Sequence, residues 1–316
     1  MKTNFISHNG KACGVMMNQN PNLFHAVNIG SDSFKLMPGP ELVSNLYRGQ
    51  NEFYDLCISS KYRSKGKTET LIQELKKNEF ILLLEGHPVI TELNKMEIYG
   101  DKFQTDYEGL AQHYGFATEH LDLTNDKDVA MFFATTKFNT ETQKYEVIEK
   151  DNESVLYTIS YVHPDVVEKV NIVGAQALPR PALQKAFSMQ LKASEDFNKL
   201  PFVKYEKFIC TKDLSEHYFH KFEGGSKIFP DDIMDKKAKQ VEHNQFISVK
   251  AIEMYFEIHQ INSEKEQNKI INMLDYLEIK EKSHYLTKRE LSSIRKDWNK
   301  KRMAFFDKMN FRLNHY

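Results

Sequence analysis

Gln112-His113-Tyr114-Gly115-Phe116-Ala117-Thr118-Glu119-His120-Leu121-Asp122-Leu123-Thr124-Asn125-Asp126-Lys127-Asp128-Val129-Ala130-Met131-Phe132-Phe133-Ala134 changes period twice. A helix over 108–114 carrying Leu110 and Ala111 stops at Gly115. The chain then runs extended to Thr124, and Val129, Ala130, Phe132, Phe133 and Ala134 form the apolar face of a second helix over 125–137. Asn125 or Asp126 suits its N-cap and Asp128 its first turn, so capping is the reading for Asp126 and Asp128. Asp122 and Thr124 differ. They stand where a strand turns into a helix whose N–H groups point outward, although neighbouring acids weaken any argument for an anion there.

Upstream, Leu42, Val43, Leu46 and Tyr47 make a strand-like run from Glu41 that ends at Arg48-Gly49. A guanidinium there can clamp a phosphate or carboxylate in bidentate fashion, with glycine letting a ligand approach the backbone. It serves equally in a structural ion pair. His113 likewise has a structural reading beside a functional one. Further elements follow from spacing: a helix over 68–84 and strands over 154–161, 166–173 and 202–210. Residues 1–40 read as a lead-in segment of turns, 41–245 as the main domain and 246–316 as a strand-free helical extension. Ser263-x-x-Glu266 and Thr287-x-x-Glu290 are capping boxes, and Leu286 is placed to staple onto Leu291 of the last helix.

With 41% hydrophobic and 12% aromatic residues, the 316-residue chain has enough apolar surface to fold. Its net charge of −1 announces no nucleic-acid or membrane partner, but the charge is segregated: residues 287–316 hold nine basic residues and three acids. Three scattered cysteines fit a reducing cytoplasm, and neither a signal peptide nor an apolar span is read. Gly66-Lys67-Thr68 lacks the glycine five residues earlier that a phosphate loop needs, and His217-x-x-His220 has no third ligand at zinc-site spacing, so no metal is expected.

Together these residues resemble the FRG-domain pattern. Tyr47-Arg48-Gly49-Gln50 is the first block, and Gln112-His113-Tyr114-Gly115, Leu121-Asp122-Leu123-Thr124 and Ala130-Met131-Phe132-Phe133-Ala134 form the second. A weaker third block pairs Arg180 with Gln184, Ala186 and Phe187, and 228–233 extends the likeness to roughly 42–245. Ala117, Glu119, His120 and Leu123 depart from the family's usual Pro, Arg, Leu and Trp.

A further resemblance, to ADP-ribosyltransferases, implies an α+β fold: a mixed-sheet ADP-ribosyltransferase-like core with flanking helices and a C-terminal helical appendage. It also implies NAD as substrate. On that basis Arg48 would neutralise the pyrophosphate beside Tyr47, Gly49 and His113, Thr124 would brace the first strand, and Tyr114 would stack on nicotinamide. Gln184 stands in the ribose-orienting block. The cationic ribosyl transition state needs a carboxylate, for which Asp122 is the first choice and Glu119 and Glu195 the alternatives. The implied role is a cytoplasmic toxin or phage-defence enzyme acting on RNA, DNA or protein. Lys300, Lys301 and Arg302 of the basic helix would steer a nucleic-acid target or meet an acidic antitoxin. The competing reading is a non-catalytic nucleic-acid-binding or sensor module that uses the same basic helix.

Overall fold

The computed structural model describes residues 4–8, 11–15, 23–38, 45–63, 66–98, 100–160, 164–308 and 310–313. Its centre is a six-stranded antiparallel sheet in the spatial order Val170–Ile172, Ala186–Gln190, His120–Thr124, Asn45–Gln50, Asn152–Ser160, Val203–Cys210. The strand carrying Arg48 is therefore interior; residues 41–44, the expected start of that run, lie outside the described residues. It pairs over six residues with Asn152–Ser160 but at one position only, Tyr47 with Thr124, on its other side. Past that single pair the two strands part, and the opening between them becomes the cavity described below.

The helices Lys67–Glu85, Tyr107–His113 and Lys127–Thr135 lie where apolar spacing predicts them. Lys127–Thr135 packs across the Asn45–Gln50 strand at Gly49. A Cβ on Gly49 would lie 1.8 Å from the Ala130 carbonyl oxygen and 2.8 Å from the Ala134 nitrogen. Gly49 thus admits a helix backbone, a close approach beyond the expectation that it lets a ligand near the strand. Asp126 caps this helix, accepting from Asp128 N at 2.9 Å, and pairs with Lys185; Asp128 pairs with Lys221.

Three expectations give way. Within residues 1–40, Leu23–Gly30 and Ser33–Pro38 form an antiparallel hairpin whose Ala26, Phe34 and Leu36 are buried. Its turn, Gly30-Ser31-Asp32, runs through three positive φ values, a conformation that Gly and Asp adopt at small cost. The hairpin joins a second sheet, in the order Asn310–Leu313, Leu23–Gly30, Ser33–Pro38, Asp101–Phe103, Glu97–Ile98. Residues 166–173 are split: Pro164–Lys169 is helical, with proline at the helix start where its missing N–H is harmless, and only Val170–Ile172 is extended. Strands also continue past residue 245, as Phe246–Ser248 with Glu278–Lys280 and as Asn310–Leu313. These have three or four residues each, too few to show a period.

The extension is not a separate body. Ala26 of the hairpin, Leu110 and Leu123 of the central part, and Leu286, Ile294 and Trp298 of the extension share one hydrophobic core. Thr287 and Glu290 close the predicted capping box, each accepting the other's N–H at 3.3 and 2.7 Å, whereas Ser263 makes no side-chain cap. Leu286 and Leu291 pack in that same core. On the last helix, Trp298 Nε1 and Arg302 Nε both donate to Glu92.

Buried His87 gives the fold a pH signature. Burial pushes its imidazole down to about 4, while the unfolded chain binds the same proton near the ordinary 6.5. Between those values the unfolded state holds more protons, so stability rises with pH through this window and is lost as pH falls through it. The expected loss is on the order of 3 kcal/mol. Urea unfolding at a series of pH values should show a shallower acid limb in His87→Gln, and an unchanged limb would refute the assignment.

Candidate active-site cavity

Where the two central strands part, a cavity of about 420 Å³ opens. Its polar lining includes Arg48, Arg63, Arg180, Asp122, His113 and Gln184. Val129 and Ala130 line it too, with the rings of Phe133, Tyr145 and Phe229, of which Tyr145 and Phe229 stack at 5.2 Å. Three guanidinium groups against a single carboxylate make the cavity attractive to anions, and the rings offer planar contact.

Arg48 spans the gap between the strands, its Nη1 donating to the Asp122 backbone carbonyl at 2.9 Å while its buried Nε has no partner. It is bonded to a carbonyl and forms no ion pair within 4.0 Å among the described residues, which leaves its guanidinium charge for a ligand. Arg180 is held between rings, 4.7 Å from Phe229 and 5.4 Å from Tyr114, with Nη1 on Asp235 at 3.1 Å. Its Nε is likewise buried and unpaired.

Asp122, Thr124, His113 and Gln184, far apart in sequence, come together. Thr124 Oγ1 donates to the Gln184 carbonyl at 2.7 Å and accepts from Asp126 N, tying the strand end to the start of the next helix. His113 Nδ1 meets Gln184 Oε1 at 3.1 Å, and His113 Nε2 lies 3.4 Å from Asp122 Oδ1. Tyr47 and Gly49 line the cavity beside Arg48.

Tyr114 does not. Its ring is buried against Phe80 at 5.2 Å, and its hydroxyl donates to Asp232 Oδ2 at 2.5 Å. Burial first, and the Asp232 carboxylate next, push its phenol well above the ordinary value. Tyr114 therefore cannot serve as the stacking platform. Its position at the end of the Tyr107–His113 helix turns it into the core, while His113 faces the cavity. The aromatic side chains lining the cavity are Phe133, Tyr145 and Phe229, with Tyr47 and Tyr54. Phe229 lies in the 228–233 stretch that the family resemblance reached, whereas Tyr145 and Arg63 carried no local signal.

The alternative carboxylates lie elsewhere. Burial works against ionising Glu119, but hydrogen bonds from Lys61, Gln190 and Tyr62 outweigh it and bring the carboxyl down to about 2. This acid belongs to an ion-pair cluster with Lys61 and Glu74. Glu195 is clasped by Lys169 at 2.6 Å. Among the described residues Asp122 is the only carboxylate lining the cavity. His217 and His220 share the Lys212–Lys221 helix, and no group of three or more potential metal ligands is found among the described residues. No helix among them is long and apolar enough to cross a membrane.

No curated protein and no solved structure matches the chain. The FRG domain family matches residues 44–143, a span holding the Tyr47–Gln50 strand end, the Gln112–Gly115 block, Asp122, Thr124 and the Phe132-Phe133 helix. With both motifs inside that span and lining one cavity, residues 44–143 of the chain carry an FRG domain.

Proposed function

We propose that the cavity binds NAD and transfers its ADP-ribose unit to a macromolecule. The observation that carries this reading is a cavity lined by three arginines, by aromatic rings and by one carboxylate, Asp122. A dinucleotide combines a pyrophosphate with two flat rings, and a volume of about 420 Å³ falls within the ordinary range of small-molecule sites. The buried, unpaired Nε of Arg48 and of Arg180 fit an oxyanion that would complete their hydrogen bonding.

In this reading Arg48 neutralises the pyrophosphate, and nicotinamide lies against the rings of Phe133, Tyr145 and Phe229. Asp122 faces the ribose, where its charge stabilises the positive charge that develops as the glycosidic bond lengthens. Thr124 joins the Asn45–Gln50 and His120–Thr124 strands through its pairing with Tyr47, and its hydroxyl ties this strand end to the Gln184 carbonyl. The central sheet followed by the Lys127–Thr135 helix would then be an ADP-ribosyltransferase-like core. A toxin or defence role follows, with a nucleic acid steered by, or an acidic antitoxin seated on, the exposed Lys300 and Lys301. Arg302 is less available because Glu92 holds it.

Incubating the purified chain with labelled NAD and cellular RNA, DNA and protein tests this. Label should pass to one of these classes, and Asp122→Asn should slow transfer on the order of 10²–10³-fold. Wild-type protein that neither transfers label nor consumes NAD would refute the reading. If that same protein retained RNA or DNA in a salt-sensitive manner, a non-catalytic binding module using Lys300 and Lys301 would replace it.

A further inference from the structure

The Ile228 backbone carbonyl receives a hydrogen bond from the Gln184 side chain at 3.0 Å, and a carbonyl can only accept. Gln184 must therefore turn its nitrogen to Ile228, which leaves Oε1 facing His113 Nδ1 at 3.1 Å. An oxygen there requires a hydrogen on Nδ1, so in the neutral ring Nε2 carries the lone pair. That lone pair faces another acceptor. Asp122 Oδ1 is 3.4 Å away, and both atoms are buried without a hydrogen-bond partner among the described residues. Two shielded acceptors facing each other leave a place for one proton between them.

We infer that Asp122 and His113 form a proton relay serving the cavity, with Gln184 as the positioning residue that selects the ring nitrogen. The relay rests on the transferase reading for the source of its proton. As the acceptor's hydroxyl or amino group bonds to the anomeric carbon of the ribose, it gives its proton to the Asp122 carboxylate. The bond from that carbon to nicotinamide breaks, and its electron pair leaves with neutral nicotinamide. The proton passes from Asp122 to the lone pair of His113 Nε2. The resulting imidazolium finds an acceptor on each side, Gln184 Oε1 at Nδ1 and ionised Asp122 at Nε2, so the charges balance within the pair. The Asp122 side chain is 42% exposed, which connects the pair to the cavity and to solvent. The other charged groups lining the cavity are Arg48, bonded to the Asp122 carbonyl, Arg180 and Arg63. Gln184 lines the cavity, but it is buried and both ends of its amide are engaged, on His113 and on the Ile228 carbonyl.

Two measurements test this on the full chain. In ¹⁵N-histidine spectra at about pH 8, above the ordinary imidazole value, His113 should show a protonated Nδ1 and a bare Nε2. Gln184→Met should lose that preference. A bare Nδ1 in wild type, or an unchanged tautomer in the variant, would overturn the positioning role. In the transfer assay, Gln184→Met and His113→Asn should lower kcat by about 10-fold or more, with ADP-ribose affinity kept within about twofold. An unchanged kcat, or a parallel fall in kcat and affinity, would overturn the relay. If wild type transfers nothing, the transferase reading falls and the relay step falls with it; the tautomer spectrum still decides the role of Gln184 by itself.

Discussion

Replacing Arg48 with alanine is expected to weaken NAD and ADP-ribose binding by about 10²–10³-fold, equivalent to roughly 3–4 kcal/mol. The argument starts from what Arg48 lacks. Its Nη1 is bonded to the Asp122 carbonyl, and among the described residues no carboxylate sits within 4.0 Å to neutralise it and its buried Nε has no partner. A cation in that state has paid most of its desolvation cost before the ligand arrives, so a pyrophosphate oxygen gains more from it than from a hydrated surface charge. Arg48→Lys should recover only part of the loss, because an ammonium keeps the charge but lacks the planar fork that spans the strand gap. The hydrogen bond to Asp122 also joins two strands that share a single residue pair, so Arg48→Ala should cost about 1 kcal/mol of stability. Titration calorimetry with ADP-ribose, beside a urea melt, separates the two effects. Affinity unchanged within twofold in Arg48→Ala would remove the residue from the site.

Gly49→Ala should unfold the protein more readily than any exposed substitution, by about 3 kcal/mol or more. The added methyl would meet the Ala130 carbonyl at 1.8 Å, an obstacle of helix backbone that no rotamer change relieves. Either the Lys127–Thr135 helix lifts from the sheet or the strand bends. Both outcomes shift Ala130 and Phe133, which line the cavity, so ligand binding should weaken along with stability. A change in urea-unfolding free energy below about 0.5 kcal/mol would mean the helix does not approach the strand this closely. The variant also separates two meanings of a glycine after an arginine, since the ligand-approach reading predicts lost binding in a normally stable protein.

Much of the central architecture is readable in the chain because it is local. The helix over 67–85 and the step from Leu121 through Thr124 into Val129–Ala134 need only hydrophobic spacing and a capping aspartate. The hairpin at 23–38 escapes a reading of residues 1–40 as turns because its signal, alternation about Gly30-Ser31-Asp32, is short and diluted by polar neighbours. The strands at 246–248, 278–280 and 310–313 owe their existence to partners distant in sequence, and no local period marks them.

The same division holds at the site. Sequence by itself determined which residue types stand at the strand ends, namely Arg48 after Tyr47 and Asp122-Leu123-Thr124 before an apolar helix, because binary patterning and caps set those ends residue by residue. Only the tertiary structure decided which of them meet. Tyr114 and His113 are adjacent, yet the turn at the helix end sends one ring into the core and the other to the cavity. Gln184 reaches His113 across 71 positions of sequence, and Glu119 and Glu195 are excluded as site carboxylates because Lys61 and Lys169 hold them elsewhere. Contacts of that separation depend on how sheets and helices stack, and stacking is set by the whole buried core rather than by the neighbours of any one residue.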